Sequence, residues 1–243
     1  MSFISYNKRY ARQLEIIGSA GQEKLFNSKV TIIGVGGLGT VSATYLVMAG
    51  IGELTLIDSD TVSITDLNRQ FLYTEEDLGK PKVRIAEKRL RKINSELKIN
   101  ALNEKVTQAN VQDIIRGSSI IIDGLDNWQT RIIVNDACVQ QGIPFIHGAV
   151  EGINGQFMVV YPGKTACLRC IFPERKEERR PPQVLGPAPG VIASLQALEA
   201  IKILTGMKTE TLGKLYIFEG KSLEIRWFKV NKREDCPVCG GGT

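Results

Sequence analysis

Apolar residues along the first two-thirds of this chain fall into short runs and helical spacings that alternate. Residues 30–35 (VTIIGV) form a β-rich run ending among glycines, and residues 38–49 then carry the pattern of a helix. Residues 54–57 read as a second strand and residues 82–93 as an amphipathic helix. Residues 119–123 (SIIID) predict a strand buried on both faces, residues 127–141 a helix, and residues 144–146 the start of another strand. Such alternation predicts a parallel sheet with crossover helices.

Beyond residue 150 the rhythm changes. Residues 155–161 (GQFMVVY), 214–218 and 223–230 read as strands, the last two with no crossover helix between them. They predict an antiparallel extension of the same sheet. Residues 191–204 (VIASLQALEAIKIL) form a strongly apolar helix that Gly206 closes. Between residues 173 and 190 lie five prolines among charges, which reads as a mobile crossing loop. The expected fold class is α/β: a Rossmann-like, mainly parallel sheet continued by antiparallel C-terminal strands.

Composition narrows the function classes. With 43% hydrophobic and 23% charged residues in 243, the chain is neither disordered, collagen-like nor a disulfide-dense miniprotein. No apolar run reaches the ~18 residues of a membrane span, and the N-terminus has no signal-peptide core; both predict a cytoplasmic protein. The net charge of +5 is spread out, and its densest basic stretch, around residues 174–180, is interleaved with acids. This favours phosphates or an acidic partner over nucleic acid.

The chemistry concentrates in a few places. Gly34, Gly36, Gly37 and Gly39 match G-x-G-x-x-G between a strand and a helix, where backbone N–H groups can cradle phosphate. Asp58 ends the second strand about 20 residues on, the place for an acid that takes ribose hydroxyls. Asn68, Arg69, Gln70 and Lys82 follow closely. Two cations there suit a triphosphate losing pyrophosphate, although both also read as solvated surface charges. The alternative enzyme is an NAD-dependent oxidoreductase, but only about 90 residues remain for a substrate domain and they hold no histidine. His147 is the sole histidine, sits in an apolar strand, and is left unassigned.

Cys167 and Cys170 form one C-x-x-C pair and Cys236 and Cys239 another. Together they predict a four-cysteine zinc site, structural because four thiolates leave no open position, that staples the C-terminal tail to the loop after residues 155–161. Arg169, Lys232 and Arg233 lie near enough in sequence to offset its charge. Cys138, inside a helical stretch, reads as a small buried hydrophobe.

Taken in order, GVGGLG, LTLIDSDTV, NRQF, GKPK, DGLDN and the two C-x-x-C pairs resemble the ThiF/MoeB family, relatives of the ubiquitin-activating enzymes. The resemblance runs from about Arg9 to Cys239. It implies adenylation of the C-terminal Gly-Gly of a ubiquitin-like sulfur carrier, serving molybdopterin or thiamine biosynthesis or tRNA thiolation, with ATP and magnesium. Adenylation of a small molecule or of a tRNA base is the related alternative.

Carried over by residue, the resemblance places Gly37 against the α-phosphate and Asp58 on the ribose. Arg69 and Lys82 act on the triphosphate, Asp126 positions magnesium, and Asn68 and Gln70 line the same pocket. Arg12 matches an arginine that reaches a neighbouring subunit's ATP site, which implies a homodimer. Some family members carry a covalent-intermediate cysteine in the crossing loop, but residues 172–191 contain none. The expectation is therefore adenylation without covalent carriage, sulfur coming from a separate donor. The carrier tail is expected under the loop at residues 174–190, near Ile171, Phe172, Val184 and Leu185. In this scheme residues 1–243 form one adenylating domain: 1–29 a helical arm, 30–150 the nucleotide-binding part, 151–243 the carrier-binding and zinc part.

Overall fold

In the computed structural model, residues 3–173 and 183–240 are described, and they build an eight-stranded mixed sheet between two helical layers. Strands β1 (Lys29–Ile33), β2 (Glu53–Ile57), β3 (Lys98–Leu102), β4 (Ile120–Asp123) and β5 (Phe145–Glu151) pair in parallel. Strands β6 (Asn154–Val160), β7 (Lys214–Glu219) and β8 (Glu224–Lys229) continue from β5 antiparallel. The spatial order is β3-β2-β1-β4-β5-β6-β7-β8, so the chain reverses direction across the sheet between β1 and β4.

Period-two alternation divides the core. Ile32, Leu56, Ile120 and Ile122 face one layer, with Leu46 and Val47 of α2 (Gly39–Ala49), Leu90 of α3 (Lys82–Ile93) and Ile192 of α7 (Pro187–Thr205). Ile33, Ile57 and Ile121 face the other, with Val111 and Ile115 of α4 (Val111–Ile115), Val134 of α5 (Trp128–Gln141) and Leu168 of α6 (Leu168–Ile171). Helix α1 (Phe3–Phe26), kinked at Gly18 where φ is 68°, packs mainly on α7.

The expected elements appear with ends shifted by one to four residues, α3 matching at both ends. One boundary needs correction: residues 187–190, read above as loop, begin α7. Proline fixes a helical φ and has no N–H to leave unpaired, so it suits a first turn. The centre of the crossing loop, residues 174–182, lies outside the described residues. Helix α7 has the length and hydropathy of a membrane span. It nevertheless carries buried Gln196 and Glu199 and packs on β5 and β6, as a core helix does.

Candidate active site

Parallel sheets bind ligands outside the carboxyl ends of their strands, where strand order reverses. A cavity of about 750 Å³ lies there. Gly34, Gly36 and Gly37 after β1, Asp58 and Asp60 after β2, and Gly124 and Asp126 after β4 form one side of its lining. Glu151, Asn154 and Gln156 of β5 and β6, with Ile217 of β7, extend it away from the glycine loop.

The four motif glycines serve two purposes. Gly34 has φ of 90° and a Cβ there would lie 2.5 Å from the Gly124 carbonyl oxygen; one on Gly39 would lie 1.9 Å from that of Gly34. These two let β1, α2 and the loop after β4 meet. A Cβ on Gly36 or Gly37 would find nothing nearer than 3.4 Å. These two face the cavity, whereas Gly39 does not line it. The hydroxyl of Tyr73 donates to the Val35 carbonyl at 2.8 Å and steadies the loop.

Asp58 accepts from the Val35 N–H (2.7 Å) on Oδ2 and from the Asp60 N–H (2.8 Å) on Oδ1. Burial raises its carboxyl above the ordinary range despite both N–H groups. A short turn then gathers the cations around Asp66. Its Oδ2 caps that turn, accepting from the Ser63 N–H, and lies 3.3 Å from Lys82 Nζ. Its Oδ1 accepts from Gln70 Nε2 at 2.9 Å and lies 3.5 Å from the Arg69 guanidinium. Lys82 also meets Asp60 at 3.4 Å. Gln70 is buried beside Gly36 with Oε1 unpartnered among the described residues.

Of the expected site residues, Gly34, Gly36, Gly37, Asp58, Arg69, Gln70, Lys82 and Asp126 line one cavity. Asp126 is exposed on its rim. Asn68 does not line it and accepts from Arg69 at 2.9 Å. Arg12 is exposed on α1, away from the cavity. Of the four residues expected beside a carrier tail, Val184 lines the cavity and bridges to Gly152, while Ile171, Phe172 and Leu185 do not line it.

Sequence reasoning missed a polar cluster behind this wall. Asp123, at the end of β4, is fully buried between Arg131 Nε (2.6 Å) and His147 Nδ1 (2.7 Å). Its other oxygen accepts from the Leu125 N–H at 3.0 Å. Burial pushes the Asp123 carboxyl upward, but the Arg131 charge and His147 outweigh it and hold it below the ordinary carboxylate range. Only the unassigned lone histidine hinted at this cluster.

The four cysteines form a second centre, none of them on the cavity. Their sulfurs lie within 4.8 Å of one another, with Cys167–Cys236 at 3.7 Å, Cys239–Cys236 at 3.7 Å and Cys170–Cys239 at 3.3 Å. Tetrahedral Zn–S bonds of about 2.3 Å place sulfurs about 3.8 Å apart, so the set fits a four-coordinate thiolate metal. Of the three nearby cations, Arg169 and Arg233 feel the charge of the cysteines, and the Arg233 backbone N–H donates to Cys170 Sγ at 3.4 Å, while all three side chains also have partners outside the set. Arg169 pairs with Asp136, Arg233 with Asp235, and Lys232 donates to the Gly163 carbonyl.

A glycine loop at a strand-order reversal, a buried acid after β2 and two cations on one cavity have the form of a nucleotide-binding α/β enzyme. Comparison with known proteins carries this further: the ThiF family profile matches residues 10–238, and the chain belongs to that family. It is 41% identical over 241 residues to the sulfur carrier protein ThiS adenylyltransferase of Escherichia coli, covering 97% of this chain and 96% of that one. It is 34% identical to the SAMP-activating enzyme E1 of Haloferax volcanii (96% and 89% covered). Against the adenylyltransferase and sulfurtransferase MOCS3 of Dictyostelium discoideum it is 43% identical but spans only 57% of that protein. Among solved structures, Escherichia coli MccB with ATP superposes with a TM-score of 0.87 at 28% identity, covering 96% of this chain and 75% of MccB. The chain is an enzyme of the ThiF/MoeB adenylyltransferase type.

Proposed function

We propose that this enzyme adenylates the C-terminal Gly-Gly carboxylate of a ubiquitin-like sulfur carrier, releasing pyrophosphate. The observation that carries the reading is the gathering of Arg69, Lys82 and Gln70 around Asp66 on the wall that also holds Gly36 and Gly37. Relatives named for ThiS and SAMP activation support the carrier as acyl donor. The elongated cavity supports two substrates: nucleotide towards Asp58, acyl donor towards β5 to β7.

The chemistry asks for no general base. A peptide carboxylate, with pKa near 3.5, is ionised at neutral pH. One of its oxygens attacks the α-phosphorus, the bond to the β-phosphate oxygen breaks, and pyrophosphate carries away the electron pair. Arg69 and Lys82 offset the repulsion and the charge on the leaving group, and N–H groups of the glycine loop hold the phosphates. Lys82 must partly exchange Asp60, on the exposed side, for phosphate oxygens.

Asp126, a carboxylate on the rim, would hold magnesium, which when bound would neutralise phosphate charge. Cys167, Cys170, Cys236 and Cys239 would hold zinc, which supplies a cross-link between α6 and the tail. Arg12, exposed on α1, would complete the site of a second copy in a homodimer. With no cysteine in residues 172–191, sulfur transfer is assigned to a separate donor acting on the released acyl-adenylate. The three-part scheme of residues 1–29, 30–150 and 151–243 belongs to the same reading, as do molybdopterin, thiamine and tRNA-thiolation pathways.

The deciding experiment is carrier-dependent ATP–pyrophosphate exchange with magnesium, beside Lys82→Ala and a carrier lacking both terminal glycines. Exchange that needs Lys82 and the glycines supports the reading. Exchange indifferent to the glycines moves it to a small molecule or tRNA base.

A further inference from the structure

The buried cluster behind the cavity has an internal logic that fixes the direction of every hydrogen bond in it. Asp123 is held as a carboxylate by Arg131, whose guanidinium also donates to the carbonyls of Leu125 and Gly148 and lies 4.8 Å from the Trp128 ring. A carboxylate only accepts, so His147 must present Nδ1–H to it across 2.7 Å. Full burial lowers the affinity of the ring for a second proton, although Asp123 opposes this, and Arg131 adds to the effect. A neutral ring protonated on Nδ1 carries a bare lone pair on Nε2. The atom facing that lone pair, 2.7 Å away, belongs to the side-chain amide of Gln156, which must therefore turn its NH2 inward. Its carbonyl oxygen then faces the other way, towards the cavity that Gln156 lines.

The strands make this geometry available. His147 pairs with Met158, and Ala149 with Gln156, so His147 and Gln156 are diagonal neighbours on one face of the β5–β6 ladder. The other groups against the ring are Trp128, 5.8 Å away, and Met158; Asp123 and Arg131 are the charges that face it.

We infer that His147, uncharged and protonated on Nδ1, is a positioning residue that holds the Gln156 amide with its oxygen directed into the acyl-donor end of the cavity. An acceptor at that place suits a backbone N–H of an extended peptide tail, which a polyphosphate does not offer. The inference rests on the adenylation reading for the identity of the tail. The orientation itself rests only on the hydrogen-bond chain from Arg131 to Gln156.

Two measurements test it. As the sole histidine, His147 gives a single pair of ring-nitrogen signals in the full-length protein labelled with ¹⁵N-histidine. At pH 7.5 the expected pattern is a protonated Nδ1 and an unprotonated Nε2. A protonated Nε2 overturns the proposal. The second measurement is ATP–pyrophosphate exchange with the ThiS carrier as probe. In His147→Asn the amide nitrogen takes the place of Nδ1 and keeps Asp123 satisfied, but nothing reaches Gln156. The apparent KM for carrier should rise about tenfold, the cost of one misdirected hydrogen bond, while the KM for ATP stays within twofold and the melting temperature holds. Gln156→Leu should act alike, and the double variant no worse than either single one. A carrier KM unchanged in His147→Asn, or ATP and carrier KM rising together, overturns the proposal. No exchange in the wild type overturns ThiS adenylation, and the nitrogen signals still decide the orientation.

Discussion

The ammonium of Lys82 lies 3.3 Å from Asp66 Oδ2, and both side chains are almost wholly buried. Asp66 also holds Gln70 and Arg69 and caps its own turn, so one carboxylate places three candidate phosphate contacts. The two residues should therefore fail differently. In Lys82→Ala, Asp66 keeps its other partners, so urea midpoints should move little while pyrophosphate exchange falls about 10²- to 10³-fold. In Asp66→Ala the buried ammonium keeps only exposed Asp60. Unfolding free energy should fall by about 3 kcal/mol, and exchange should fall as well. Equal stability loss in both variants would refute the asymmetry.

The glycine loop makes a second contrast. Gly39→Ala drives a methyl to 1.9 Å from a backbone oxygen that cannot withdraw, and this variant should be insoluble or melt far below the wild type. Gly37→Ala meets only Pro189 at 3.4 Å and Arg69 at 3.5 Å. It should melt like the wild type without nucleotide, yet show a smaller ATP-induced rise in melting temperature, because the methyl enters the phosphate end of the cavity. Melting curves with and without ATP check both.

Local signals made much of this legible. Strand β1, the glycine loop and α2 announce themselves by a β-branched run, a turn only glycine can make and helical spacing, all within 20 residues. Strand β3 (KINAL) and α4 (VQDII) went unread: β3 has a single β-branched residue where β1 and β4 have runs of them, and α4 is barely more than one turn. The site was legible where spacing carries it, as for Gly34 to Lys82. It was not where tertiary pairing carries it: Asp123 and His147 stand 24 residues apart, and only the β4–β5 pairing brings them together. Asp66 was overlooked beside Arg69 because an acid in a loop looks solvated until its burial is known.

The cysteine set leads to a metal-removal test. The purified protein should carry about one zinc per chain by elemental analysis. Stripping it with a thiol-modifying reagent and chelator should lower the melting temperature, because the link between α6 and residues 236–239 is lost. Cys239→Ser should do the same. At low temperature either preparation should keep most exchange activity, since no cysteine lines the cavity. Loss of activity with the melting temperature unchanged would argue for a catalytic metal.

Stability should also depend on pH through the single histidine. Buried His147 has its pKa lowered in the folded state, from about 6.5 in the unfolded chain. Below pH 6.5 the unfolded chain binds a proton that the folded protein refuses, so stability is full above that pH and is lost as the pH falls. The limiting slope is one proton, roughly 1 to 1.5 kcal/mol per pH unit. Asp123, whose pKa is lowered, adds a loss of the same sign, but only once the pH drops below its ordinary carboxylate range near 3.8. Asp58, raised by burial, contributes with the opposite sign as the pH falls, so the difference between the wild-type and His147→Asn urea curves from pH 7.5 to 5 is what isolates the histidine. His147→Asn should flatten the curve across that interval, because its amide keeps the bond to Asp123 and takes up no proton. An equally steep curve in the variant would place the acid sensitivity elsewhere.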